Sequence, residues 1–507
     1  MNQLKAGILL NYVVIILNMI LGLLYTPYML RMLGQSEYGL YSLVASVISY
    51  LTVLDLGIGN AIVRYTAKYR AEGKTTEQYE MFGMFLVLYI VIGVITLFAG
   101  AGLYTNLDYF FKDTMTIEEI DKARIMMLFL IFNLAVTFPM SIFGSIINAY
   151  EHFVFPKVIN ISRTLLNTAV MICLLELGYK AVTMVVVQTI FNLLTLIINF
   201  IYCKYRLHIK IFIHKFDWKF LKEVALYSFW ILLNVIMDRI YWNTGQFVLG
   251  AVVGTTAVAV FAIAIQLQHM YMNFSTAVTG LFLPKVTGMV TRNNNHKEIS
   301  DLFIRTGRIQ YIVMAMILSG FIVFGRQFIS VWAGPEYDEA YIMTVLFFIS
   351  LLPPLIQNLG ITILQARNQM KFRSLLYIVI ATLSLILQII LTKLYGGIGC
   401  TTAIAGALIL GQGIIMNIYY YKKQGLDILN FWGEIIKMSF VPAILSCVTI
   451  FILHYFNIKL NTYSSLLFAI TIFILTYIPL FYHFSMNAYE RNFIINSIRV
   501  IRRKVKL

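Results

Sequence analysis

Ala6–Leu30 reads AGILLNYVVIILNMILGLLYTPYML, 25 residues without one charge. A helix rising ~1.5 Å per residue needs about 20 such residues to cross ~30 Å of hydrocarbon. No water is available there for backbone groups, so only helices and closed barrels cross. A barrel strand would alternate apolar and polar residues over about 10 positions, whereas this run is continuous and far longer. Similar runs recur near 40–63, 81–104, 124–148, 156–177 and 181–202, then near 224–249, 256–282, 309–331, 341–366, 375–395 and 397–421, with a last pair near 434–456 and 463–483. The expected fold is an all-α polytopic membrane protein of about 14 transmembrane helices: two six-helix halves and a final pair. Only Tyr395-Gly396-Gly397 parts two of the runs, so thirteen spans is the other count.

Composition agrees. The 507 residues are 60% hydrophobic and 12% charged, with nine prolines; mean hydropathy is +0.80. Soluble domains run at roughly 45–50% apolar and about 25% charged. A net charge of +16 would indicate nucleic acid in a soluble chain, but here the charge sits in short loops between apolar runs, and no nucleic-acid partner is expected. Cys173, Cys203, Cys400 and Cys447 show no CxxC spacing, which argues against a disulfide framework or zinc site. After Lys5 the apolar run passes Tyr25 with no small-residue cleavage site, so a retained first span is expected rather than a removed leader.

Lys and Arg concentrate on the cytoplasmic side of membrane proteins. With the N-terminus inside, 30 of the 39 fall in cytoplasmic segments, 8 outside, and Arg239 within a span. The inside clusters are Arg64-Lys68-Arg70-Lys74, Lys204 to Lys222, Lys285 to Arg308, Arg367-Lys371-Arg373, Lys422-Lys423 and the tail. This predicts a multi-pass protein of the cytoplasmic (inner) membrane with both termini cytoplasmic.

An internal repeat sets the organisation. Leu10–Gly34 aligns with Leu226–Gly250, placing Asn18 on Asn234 and Tyr25 on Tyr241. Two parallel halves follow, at 1–205 and 223–423, joined by a basic linker at 206–222 and followed by a helix pair at 424–489. In the tail 490–507, Ile494, Ile498, Ile501 and Val505 share one helical face among basic residues. Such a helix would lie on anionic membrane lipid.

No enzyme motif stands out. Gly73-Lys74-Thr75 lacks the first glycine of a P-loop and has no preceding strand. The seven histidines show no metal-ligand spacing, so no cofactor is expected. The informative residues are polar groups within spans, where a charge costs about 2.5–3.5 kcal/mol and usually meets a wet cavity or a partner. They are Asp55 in span 2, and Asp238 and Arg239 near the middle of span 7. Asn18 and Tyr25 share a face of span 1 with Asn11 and Gly22. Asn234 and Tyr241 lie on span 7, and Gln266, His269 and Asn273 on span 8. Asn, Gln and His also glue helices together in bilayers, so the amides have two readings. Arg31 and Arg163 read as span-end residues whose side chains snorkel.

LDLGIGNAIVR at Leu54–Arg64, preceded by Leu33-Gly34 and Glu37-Tyr38-Gly39-Leu40-Tyr41, resembles the polysaccharide-transporter branch of the multidrug/oligosaccharidyl-lipid/polysaccharide exporter superfamily, which includes the Wzx-type O-antigen flippases. The resemblance implies a flippase that carries a polyprenyl-diphosphate-linked oligosaccharide from the inner to the outer leaflet by alternating access, for surface polysaccharide such as O-antigen and lipopolysaccharide. It also implies a cationic cavity for the diphosphate, with Arg239 the residue here for that role, and polysaccharide polymerase machinery as a partner. Lipid II flippases place arginines in their first two spans, where this chain has only Arg31 at a span end and Arg64 beyond one. Energy coupling to H+ or Na+ would fall on Asp55 or Asp238. The rival readings are a drug or cation antiporter of the same superfamily, which those two acids favour, and a membrane polymerase or glycosyltransferase. The second rival lacks the large extramembrane segment such enzymes use.

Overall fold

The structure, a computed structural model, describes residues 3–213, 217–279, 286, 288–290, 296–367, 369–492 and 495. These are helical, with no strand among them. Most of the tail 490–507 lies outside the described residues, and with it the expected lipid-binding face.

Twelve described helices are long and apolar enough to cross a bilayer. Two places separate this count from the expected fourteen. Lys371–Gln424 counts once, yet Tyr395 (φ −132°, ψ 15°) and Gly396 (φ 57°, ψ −137°) leave helical geometry inside it. Gly396 adopts a backbone that side chains resist, which divides the stretch where the sequence placed a boundary. Helix α9 (Trp218–Trp242) also has spanning length and is not among the twelve.

The residues form two compact units. One runs to Ala262 and takes in Gln388–Cys400; the other is Ile263–Leu387 with the chain from Thr401 onward.

The first unit opens with α1 (Gln3–Leu33) and α2 (Gln35–Leu51), separated by Gly34 at φ 77°. A 3-10 turn (Thr52–Asp55) then leads to α3 (Ile58–Ala71) through Leu56 (φ 54°) and Gly57 (φ 70°). Two consecutive left-handed residues stop one helix and re-aim the next, so expected span 2 is broken at Asp55. Next come α4 (Thr75–Thr105), the short α5 (Leu107–Phe111) and α6 (Ile117–Ala149), the last started by a Thr116/Glu119 capping box. Then follow α7 (Val154–Glu176), α8 (Ala181–Tyr205), α9, α10 (Thr244–Val252) and α11 (Thr255–Thr279). Expected span 7 is thus two helices meeting at Asn243. Gly250, which the repeat pairs with Gly34, lies inside α10, and the chain turns at Gly254 (φ 117°) instead.

The motif residues have structural reasons to be what they are. Ile58, Ala61, Ile62 and Tyr65 pack into a core with Phe82, Phe85 and Tyr89 of α4 and Ile142 and Ile146 of α6. Glu37 is buried, 2.5 Å from Lys122 Nζ, and its other oxygen accepts from the Ala181 N–H at 3.4 Å. Tyr38 and Leu40 are buried. Gly39 faces the carbonyl of Thr255 so closely that an added Cβ would overlap the oxygen. Gly39→Val must therefore part α2 from α11. We expect it to cost about 1–3 kcal/mol or more, read as a lowered unfolding midpoint of the purified protein. Gly102→Ala, in open space on α4, should be neutral or stabilising by about 0.5–1 kcal/mol.

In the second unit, α12 (His296–Trp332) packs with α17 (Ile428–Tyr455) and α18 (Tyr463–Phe484). Arg308 of α12 is 3% exposed. Its Nε donates to Glu490 Oε1 at 2.5 Å and Nη2 to Glu490 Oε2 at 2.9 Å, while Nη1 donates to Glu434 Oε2 at 2.5 Å. The sequence placed Arg308 in a cytoplasmic loop cluster. That reading is corrected: the helix begins at His296, and the guanidinium turns inward to two carboxylates. Between α12 and α17 the chain supplies α13 (Glu339–Ile356), α14 (Asn358–Ala366), α15 (Lys371–Leu408), a π-helical turn at Ile409–Ile415 and α16 (Met416–Gln424).

Candidate functional site

Leu9, Val13, Ile16, Ile20, Leu23 and Leu24 of α1 are exposed as one apolar stripe, the face a lipid-contacting helix presents. At about 100° per residue, Asn11, Asn18 and Tyr25 lie on the opposite side. Asn11 is engaged there, since its Oδ1 accepts from Lys157 Nζ of α7 at 2.7 Å; it is helix glue. Asn18 is exposed. Tyr25 is half-buried with its ring 6.5 Å from Tyr28, and its O–H has no hydrogen-bond partner among the described residues.

Asp55 ends the 3-10 turn, half-buried, and accepts from the Tyr89 O–H at 3.1 Å. Helix α9 packs against this turn and against α2 and α3. Asp238 and Arg239 lie near the C-terminal end of α9, just before the break at Asn243 that divides the expected span 7. Asp238 is exposed and Arg239 half-buried. Among the described residues Arg239 Nε has no hydrogen-bond partner, and no ion pair joins Arg239 to Asp55. Tyr241 is fully buried. The side chain of Asn234 lies outside what the structure describes. On α11, Gln266 is half-buried and His269 and Asn273 are exposed, at spacings that put them on one face.

The structure adds a polar pocket that the sequence reading missed. It lies within the first unit among α2, α6, α7 and α8, has a volume of about 370 Å³, and is lined by Asn133, Thr137, Arg163, Asn167, Gln188 and Asn192 with apolar Ile48, Leu130, Leu134 and Phe191. Asn192 Nδ2 donates to Asn133 Oδ1 at 2.7 Å and to Thr137 Oγ1 at 2.8 Å. Gln188 Oε1 accepts from the Tyr41 O–H at 3.1 Å. Arg163 is not a span-end residue: it stands in the body of α7 and reaches Asn192 Oδ1 through a long 3.4 Å contact. Each helix carries the signal in its sequence: Asn133, Thr137 and Ser141; Asn160, Arg163, Thr164 and Asn167; Gln188, Asn192, Thr195 and Asn199. Spacings of three and four stack such groups on one face.

The fold and the pocket define, as a class, a multi-pass helical membrane protein with polar groups held inside its bundles. Residues 4–284, more than half of the chain, match the family model described as "Polysaccharide biosynthesis protein". The chain belongs to that family, within the polysaccharide-transporter branch of the multidrug/oligosaccharidyl-lipid/polysaccharide exporter superfamily. A curated relative, the uncharacterized membrane protein EpsK of Bacillus subtilis (strain 168), is 20% identical over 434 residues, 82% of each chain. Among solved structures, the lipid II flippase MurJ in an inward closed conformation superposes with TM-score 0.69 at 16% identity, covering 94% of this chain and 98% of its own. An inward-facing multidrug resistance MATE family transporter gives 0.60 at 14% identity, with 80% and 99% covered. A superfamily transporter from Pyrococcus furiosus gives 0.53 at 13%, with 83% and 96% covered. At these identities the structures establish the fold alone.

Proposed function

We propose that the protein is a flippase that moves a polyprenyl-diphosphate-linked oligosaccharide from the inner to the outer leaflet of the cytoplasmic membrane, for surface polysaccharide biosynthesis, by alternating access. The observation that carries this reading is the polysaccharide family match over residues 4–284. The fold, whose match to a lipid II flippase covers 94% of the chain, supports it. The physical task is to take sugars and a diphosphate through hydrocarbon without exposing them to lipid, and the amide- and hydroxyl-lined interior of the first unit suits such a cargo. The drug-antiporter reading leans on the multidrug transporter likeness, which has lower overlap and covers 80% of the chain. It also leans on Asp55 and Asp238 rather than on a cluster of acids.

Arg239 takes the diphosphate contact in this reading, with Asp55 or Asp238 the carboxylate for a coupling ion, and the polymerase machinery receives the cargo outside. In a deletion strain, the complete lipid-linked repeat unit should accumulate on the inner leaflet while surface polysaccharide disappears. Extraction of polyprenyl-linked sugars with mass analysis reads this directly. Normal surface polysaccharide with heightened sensitivity to cationic drugs would point to the antiporter instead.

A further inference from the structure

Arg163 sits in a membrane-embedded pocket with one weak satisfaction. A guanidinium offers five N–H donors, yet among the described residues its one hydrogen-bond partner is Asn192 Oδ1, at 3.4 Å. No carboxylate lines the pocket. Among the lining groups, Asn192 Nδ2 donates to Asn133 and Thr137, and Gln188 Oε1 accepts from Tyr41. A cation lacking an acceptor, in a space of about 370 Å³ lined by no carboxylate, calls for an anionic guest.

We infer that this pocket binds a small oxyanion, a carboxylate or a phosphate. The anionic oxygens take the Arg163 fork. Water alone leaves the charge of Arg163 uncompensated in low-dielectric surroundings, where a lone cation is costly. A halide is much smaller than the space. The Arg fork favours planar oxyanions, which it grips with two parallel bonds. Free anions and an acidic sugar of the cargo share this chemistry. Anion binding itself does not depend on the flippase reading, since it is measured on the resting protein.

The test uses the purified full-length protein in detergent, following its thermal unfolding at constant ionic strength with sodium glucuronate, sodium phosphate, sodium chloride or glucose. Ligands that bind only the folded state raise the midpoint saturably. Glucuronate or phosphate should do so, chloride and glucose should not. Arg163→Gln should weaken the apparent affinity about tenfold or more, the worth of a charged hydrogen bond, with Arg163→Lys intermediate. A response to glucuronate alone assigns the guest to acidic sugars, and a response to phosphate alone to a phosphate-bearing species. If Arg163→Gln does not fold, the Arg163→Lys shift and anion protection of Asn167→Cys from a water-soluble thiol reagent carry the decision. No anion-dependent shift in the wild type, or an equal one in the Arg163 variants with no protection at Asn167→Cys, overturns the inference.

Discussion

Arg308→Ala is expected to lower the stability of the purified protein by about 3–5 kcal/mol, the usual cost of removing one partner from a buried ion pair. The alanine strands Glu490, which is 1% exposed, and leaves Glu434 with Lys437, 2.9 Å away and largely exposed, as its remaining cation. Most of the loss is the penalty for an uncompensated buried carboxylate, so it should be recoverable. Arg308→Met combined with Glu490→Gln removes both charges and should restore much of the midpoint. The comparison that isolates burial is Arg326→Ala. Arg326 makes an equally short pair with Asp338, at 2.6 Å, but is 68% exposed, and such pairs contribute little. Its unfolding midpoint should stay at the wild-type value. If Arg308→Ala unfolds at the wild-type temperature, the buried cluster does not hold the segment around Glu490 to α12 and α17.

Arg239→Ala is expected to abolish export at equal protein level, and Arg239→Lys to retain part of it. A lysine keeps the charge but loses the two-pronged grip on phosphate oxygens. The competing role is a structural ion pair, in which alanine would lower stability and removal of the acid would rescue it. The absence of an ion pair between Arg239 and Asp55, and the free Nε among the described residues, favour the ligand-facing role. Surface polysaccharide and protein level measured together separate the two. Full export by Arg239→Ala ends the assignment.

What the sequence revealed follows from which signals are periodic. Long apolar runs announce spans because bilayer thickness fixes their length, and the boundary at Tyr395-Gly396 was legible because only glycine tolerates that backbone. The breaks at Leu56-Gly57 and Asn243 were not. Both lie inside stretches long enough to read as single spans, although Gly57 and the polar Asn243-Thr244-Gly245-Gln246 interrupt them, and Leu56 gives no sign of its left-handed conformation. Arg308 was misplaced because α12 begins in polar sequence, so a buried arginine looked like a loop charge. Arg163 was read as snorkelling although the amide ladder around it on three helices was visible. Asn167 follows Arg163 by four residues, and Asn133 and Asn192 repeat that polar spacing on α6 and α8, so the arginine belongs to a shared polar face. Asn11 and Asn18, identical in sequence terms, parted only in three dimensions, where Lys157 reached one and left the other exposed.

Reconstitution into vesicles tests the central claim most directly. A polyprenyl-diphosphate-linked oligosaccharide with a fluorescent sugar is placed in both leaflets, and a membrane-impermeant reagent quenches the outer pool. Vesicles holding the wild-type protein should lose fluorescence beyond the outer half, as inner-leaflet lipid is carried across, while protein-free vesicles and Arg239→Ala vesicles stop near half. Quenching that halts at the outer pool with folded wild-type protein present, together with export of a cationic dye by the same vesicles, would contradict the account.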